Sequence, residues 1–273
     1  MAESVRAGRT SESLWTRAQY RLLKRIAPNE PTHMSGAAYA GRSKLRVLLG
    51  DPLVERARGK DVVDFGCGIG TEAIELATVA RSVVGLDTNL SLLEKARERA
   101  KDAGVSGRCS FRPTAPPGSF DVVVSLDSFE HFGDPAAVLE SMFGLLRPGG
   151  QVVMSFGPTW YHPYGGHLFS VFPWAHLLFT ESALIRWRSD IRNDGATRFG
   201  GVEGGLNQMT VARFERLVKG SRLHLERLEP VPIRAAARFH TPLTREFTTP
   251  NVRCILKRHA SPVDAESVVT GLK

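Results

Sequence analysis

Short apolar runs alternate with amphipathic stretches from residue 61 onward. The segments 61–65, 81–87, 109–112, 120–125 and 151–156 each read as a buried strand bounded by turn residues. Between them, helical spacing predicts helices over about 71–80, over 90–103 with Gly104 as terminator, and over 135–146 ending before Arg147-Pro-Gly-Gly150. Parallel strands joined by crossover helices give an open, doubly wound α/β sheet. Ahead of it, residues 13–26 put Leu14, Trp15, Ala18, Leu22 and Ile26 near helical spacing with basic residues between them, and Pro28 and Pro31 stop that helix. After Phe156 the alternation fails. It resumes with a helix near 210–219, a strand at 223–228 and a last strand at 252–257. The expected division is therefore an N-terminal helical cap over 1–59, a sheet domain over 60–156 and 209–260, and an inserted lid over 157–208.

Composition narrows the class. The 273 residues are 42% hydrophobic and 23% charged, as expected of a protein that builds a core. Cys67, Cys109 and Cys254 are too few and too scattered for a disulfide framework or a cysteine zinc site. The opening stretch lacks the apolar core of a secretory signal, and the longest apolar run, 167–179, is too short to cross a bilayer and holds two histidines. A cytoplasmic location is expected, with no transmembrane segment. Charge is unevenly spread: residues 1–60 carry +7, residues 61–156 carry −5, and residues 157–273 carry +6. Basic flanks around an acidic centre suit an anionic substrate or a membrane surface.

The strongest chemical signal is Asp64-Phe-Gly66-Cys-Gly68-Ile-Gly70, a glycine turn between a strand and a helix where backbone can approach a ligand. Thr71 breaks the dinucleotide fingerprint, and the lysine of a P-loop is missing. Asp87 ends the next strand, where a carboxylate can accept both hydroxyl hydrogens of a ribose. Its other use is to cap the following helix, a role that Thr88 or Asn89 can fill instead.

Four blocks in order, 62–70 (VVDFGCGIG), 83–89 (VVGLDTN), 120–132 (FDVVVSLDSFEHF) and 145–156 (LLRPGGQVVMSF), resemble the class I S-adenosylmethionine-dependent methyltransferases. The resemblance implies a Rossmann-like seven-stranded sheet that binds S-adenosylmethionine. It puts Gly66, Gly68 and Gly70 beneath the methionine part, Asp64 at the amino end, and Asp87 with Thr88 at the ribose. Ser125 and Leu126 would open toward the sulfonium. An acid that many members place after the third strand, against the adenine, is missing before Asp121, and backbone near Thr114 is the substitute.

Asp127, Glu130 and His131 follow the fourth strand. On a helix they would share a face, and with His162 or His167 they would suit Mg²⁺, Mn²⁺ or Fe²⁺. The block is similar to that of the metal-dependent O-methyltransferases of ubiquinone biosynthesis and of small-RNA 2′-O-methyltransferases. Without a metal, His131 is the expected base, with Glu130 and His167 as further catalytic candidates. The insertion is dense in aromatic residues and histidines, which suits a planar, apolar or lipid-like acceptor, and its segment 168–179 could lie in a membrane interface. The expected activity is O-methylation of a small hydroxylated metabolite. The alternatives are an RNA methyltransferase that uses the basic N-terminal segment, and a cofactor-holding protein or a non-methylating enzyme of the same fold.

Overall fold

The computed structural model describes residues 13–28, 41–169, 172–192, 195–201 and 205–259. The parts of the expected cap at 1–12 and 29–40, of the lid at 170–171, 193–194 and 202–204, and residue 260 lie outside the described residues. No helix among those described is long and apolar enough to cross a membrane.

Seven strands form one sheet in the order β3-β2-β1-β4-β5-β7-β6: β1 (Asp61–Phe65), β2 (Ser82–Leu86), β3 (Cys109–Arg112), β4 (Phe120–Leu126), β5 (Leu146–Phe156), β6 (His224–Val231) and β7 (Asn251–Lys257). The first five run parallel, and β7 is antiparallel to both β5 and β6. Val62, Val63, Val122, Val123, Val152 and Val153 are fully or almost fully buried, as central parallel strands covered on both faces require.

Ten α-helices among the described residues accompany the sheet: α1 (Leu14–Ile26), α2 (Lys44–Leu49), α3 (Asp51–Val54), α4 (Thr71–Leu76), α5 (Leu90–Asp102), α6 (Pro135–Leu145), α7 (Ala175–Leu178), α8 (Glu181–Ser189), α9 (Val211–Lys219) and α10 (Arg245–Thr248). Local chemistry sets their starts. Asn89 accepts from the N–H groups of Ser91 and Leu92 at the head of α5, and Asp134 does the same for Ala136 and Ala137 ahead of Pro135 in α6. Predicted and observed sheet elements agree within a few residues. Two differences stand out: α4 stops at Leu76, and β5 begins at Leu146.

One end of the sheet is locked by charge. Asp61 is held by Arg81 and by Arg147 (2.9 Å), while Asp121 receives Arg147 (2.8 Å) and the Asp61 N–H (2.9 Å). Arg81 beside Asp61 holds its carboxyl far below the usual range. This network sits at the N-terminal ends of β1 and β4, so the opposite, C-terminal ends are left for the glycine turn.

The first helix packs differently from its predicted face. Thr16, Gln19 and Leu23 are buried, whereas Leu14, Trp15, Leu22 and Ile26 are 81%, 67%, 50% and 48% exposed. The reason is the partner. Gln19 accepts from the Thr180 N–H (2.8 Å), and the Trp187 indole donates to the Ala27 carbonyl (2.7 Å). A third core of Leu23, Phe169, Leu184, Trp187, Phe199 and Leu206 thus joins α1 to the insertion. The insertion, predicted without regular structure, contains α7 and α8.

Candidate active site

The three glycines after β1 all have positive φ: 82° at Gly66, 51° at Gly68 and 76° at Gly70. At Gly66 a Cβ would come within 3.0 Å of Ser128 Oγ, and at Gly70 within 2.6 Å of the Phe111 ring, so both geometry and space demand glycine. Gly68 faces open space. Its N–H donates to Asp87 Oδ2 (2.9 Å), and the Asn89 N–H donates to Asp87 Oδ1 (2.8 Å). Asn89 caps the helix, so Asp87 keeps the unused lone pairs of both oxygens.

Two cavities meet at Gly66. One, of about 320 Å³, is lined by Lys44, Asp64, Gly66, Gly68, Glu72, Leu126 and Asp127, among others. Asp64 is 3% exposed, its Oδ2 has no hydrogen-bond partner, and burial, aided by Glu72, pushes its carboxyl up to about 8. A buried, unpartnered carboxyl oxygen at such a cavity fits an incoming cationic donor. The other cavity, of about 140 Å³, is walled by Phe65, Leu86, Pro113 and Phe132, with Asp87 and Thr88 at its rim. It is an apolar slot for a flat ring. Thr114 is not among its lining residues.

Leu126 lines the first cavity as expected, but Ser125 does not: it is fully buried in the sheet, paired with Met154. Lys44 of α2, outside every motif block, forms an ion pair with Asp127 (3.3 Å) in the cavity wall. No sequence signal marks it, because only the fold brings residue 44 to the glycine turn.

The expected helix over Asp127–His131 is instead a single 3₁₀ turn, Phe129–His131, preceded by Asp127 at a φ of 45°. The shared face therefore never forms. Glu130 is turned inward, 3% exposed, with Oε1 accepting from the Gly157 N–H (3.2 Å), its carbonyl accepting from the Asn207 N–H (2.9 Å), and Oε2 unpartnered. Burial and the nearby Asp127 push its carboxyl up to about 8. Asn207 also donates to the carbonyls of Phe129 (2.7 Å) and Phe132 (3.0 Å). The turn thus clamps the two ends of the insertion together.

His131 Nδ1 lies 2.8 Å from the Gly205 carbonyl, and its ring meets His167 edge-on at 5.2 Å. A carbonyl cannot donate, so Nδ1 carries the proton and Nε2 is left as the accepting nitrogen. His167 is half-buried, with Nδ1 unpartnered, and desolvation lowers it to about 4. His162, also lowered to about 4 by burial, accepts from the Tyr164 N–H (3.1 Å).

The proposed metal set fails on this geometry. Among the described residues no three histidine, cysteine or acidic side chains converge as a metal site. Lys44 occupies Asp127, Glu130 faces Gly157, and the Nδ1 atoms of His131 and His162 are engaged by backbone. The residues present do not fit a divalent cation.

Residues 63–154 match the family model described as "Methyltransferase domain". Ubiquinone biosynthesis O-methyltransferases from Sodalis glossinidius and Pseudomonas aeruginosa are 35% and 38% identical over 113 and 104 residues. Those stretches cover 38% and 36% of this chain and only 45% and 44% of the relatives, less than half of their length. A SAM-dependent methyltransferase structure from Methanosarcina mazei superposes with a TM-score of 0.54 at 17% identity, covering 77% of this chain and 98% of that one, which shows a shared fold. Sheet order, glycine turn and family match agree on one conclusion: residues 63–154 are similar to the S-adenosylmethionine-dependent methyltransferase domain and lie in a sheet of the same fold.

Proposed function

We propose that the protein is an S-adenosylmethionine-dependent O-methyltransferase of a small hydroxylated acceptor, working without a metal. The observation that carries this reading is the unpartnered Asp64 Oδ2 in a cavity that continues at Gly66 into an apolar slot edged by Asp87. Asp64 would accept from the ammonium end of the cofactor and Lys44 would face its carboxylate. Asp87 would take the ribose hydroxyls, and Phe65, Leu86, Pro113 and Phe132 would enclose the base. When bound, S-adenosylmethionine supplies a methyl group already activated on a positive sulfur. The protein's work is then alignment and exclusion of water. His131 would take the acceptor's hydroxyl proton at Nε2 as the oxygen attacks, held in register by Gly205. The names of the curated relatives support oxygen as the methylated atom.

The direct test is calorimetry with S-adenosylhomocysteine, together with detection of its formation from S-adenosylmethionine across a panel of catechols and phenols. Asp87→Ala should weaken cofactor affinity by about 1.5–3 kcal/mol, the worth of charged hydrogen bonds to the ribose. Unchanged affinity in a folded variant would remove Asp87 from the site.

We also propose a peripheral station on an anionic membrane surface, reached from the cytoplasm. The support is the exposed stripe Leu14, Trp15, Leu22 and Ile26 of α1, flanked by Arg17, Arg21 and Arg25, with Leu178 of α7 also 67% exposed. Sedimentation with phosphatidylglycerol vesicles should carry the protein down at low salt, and Trp15→Ser with Leu22→Ser should leave it in solution. Equal behaviour with neutral phosphatidylcholine vesicles would refute this station.

A further inference from the structure

A third cavity, larger than the two that meet at Gly66, shares no lining residue with either of them. It has a volume of about 520 Å³ and lies on the far side of the 3₁₀ turn, lined by His131, Gly133, Glu181, Arg198, Gln208 and Arg213, among others. The turn is a shared wall. Asp127 and Ser128 face the 320 Å³ cavity, Phe132 faces the slot, and His131 and Gly133 face this third space.

Its charge is unbalanced. The Arg198 guanidinium makes no hydrogen bond or ion pair with a described residue, and the Arg213 guanidinium makes one hydrogen bond, to the Asn207 carbonyl. The one carboxylate among the described lining residues, Glu181, accepts from the Phe199 N–H at the head of α8 and pairs with neither arginine. Two guanidinium groups thus share a concave surface, and no carboxylate among the described residues pairs with either. A guanidinium presents a planar fork of donors that matches the oxygens of a carboxylate or phosphate.

The backbone supports a built site. Gln208, between Asn207 and Met209, is held at a φ of 58°, one of three non-glycine residues with positive φ among those described. Asp127, in the wall of the first cavity, is another. Left-handed backbone outside glycine costs energy and gathers where surrounding structure holds a ligand-facing segment in place. Asn207, also in this lining, is fixed by two hydrogen bonds to the turn and keeps a buried Oδ1 without a partner.

We propose that this cavity is the anion subsite of the acceptor: Arg198 and Arg213 hold a carboxylate or phosphate carried by the molecule, whose hydroxyl then lies toward His131. The inference rests on the methyltransferase reading and adds the substrate class, a hydroxylated oxyanion. Neutral analogues would lose the anchor and with it the alignment of the hydroxyl.

The test uses the full chain saturated with S-adenosylhomocysteine. Matched probes are titrated in: 3,4-dihydroxybenzoate against 3,4-dihydroxybenzamide, and 4-hydroxyphenyl phosphate against hydroquinone. The charged member of at least one pair should bind about tenfold tighter or more, and which pair shows it identifies the oxyanion. Arg198→Gln, on an exposed segment, should weaken binding of that anion about tenfold to a hundredfold while S-adenosylhomocysteine affinity stays within about twofold. Arg213→Lys should recover only part of the wild-type preference. Equal affinity for charged and neutral members, or no binding of any probe at about 10 mM, would overturn the subsite while the bound S-adenosylhomocysteine leaves the enzyme reading intact. Failure of S-adenosylhomocysteine itself to bind would overturn both.

Discussion

With His131 replaced by alanine, methyl transfer should fall by about a hundredfold to ten-thousandfold, with S-adenosylhomocysteine affinity unchanged within about twofold. The asymmetry follows from position. His131 lines the third cavity rather than either of those that meet at Gly66, and its Nδ1 is committed to the Gly205 carbonyl. Removing the ring deletes the proton acceptor without touching Asp64, Asp87 or the glycine turn. His131→Gln keeps a polar group of similar reach and should recover little, because an amide is not a base at neutral pH. Chelators should leave the wild-type rate unchanged, as the donor geometry requires. A strong loss in chelator, restored by Mg²⁺ or Mn²⁺, would reinstate the metal. A His131→Ala variant at full rate would assign proton removal to solvent.

The second large effect concerns Asp64. Its carboxyl, raised to about 8 by burial, is mostly protonated at pH 7 before cofactor arrives. A cationic ammonium beside it favours the ionised form, so binding should release close to one proton at pH 7. Heats measured in buffers of different ionisation enthalpy give that number directly. Affinity should rise with pH, by up to about tenfold between pH 6 and 7. Asp64→Asn should abolish the proton release and weaken binding by about 2–3 kcal/mol, because a charged hydrogen bond is replaced by a neutral one. Stability follows the opposite sign. The folded carboxyl keeps its proton to about pH 8 and the unfolded one loses it near pH 4, so rising pH through that window lowers the stability of the ligand-free protein. Glu130 acts in the same direction, so Asp64→Asn should reduce that slope without removing it. Proton release that persists in Asp64→Asn would assign it to another group.

What was legible in the sequence follows the range of the forces involved. Strand boundaries, the glycine turn and the Asn89 cap are local, set by alternation, φ and a side chain reaching two or three residues along. Asp87 was legible for the same reason, as the end of a strand beside that turn. Lys44 was not, because its place in the wall depends on α2 folding against distant strands. The metal reading failed because it assumed helical spacing at 127–131, where Asp127 adopts left-handed backbone and the turn tightens to 3₁₀. The buried side of α1 was misjudged because Gln19 is satisfied by Thr180 of the insertion and Thr16 by the Ser13 cap, which a helical wheel cannot show. Arg198 and Arg213 belong to one cavity only because Asn207 ties the end of the insertion back to the turn.

The position of β7 between β5 and β6 has a consequence for biosynthesis. As the chain leaves the ribosome, β1 to β5 can pair in order of appearance, but β6 emerges without a neighbour, since its partner is encoded by residues 251–257. Until those residues are released, β5 presents a bare edge and β6 remains unpaired, the condition in which nascent strands recruit wrong partners. Completion of the sheet therefore waits for residues 251–257. A stop codon anywhere before residue 251 would leave the glycine turn and its cavities encoded but the sheet open, and such a chain should be found with chaperones or in aggregates rather than as a smaller working enzyme.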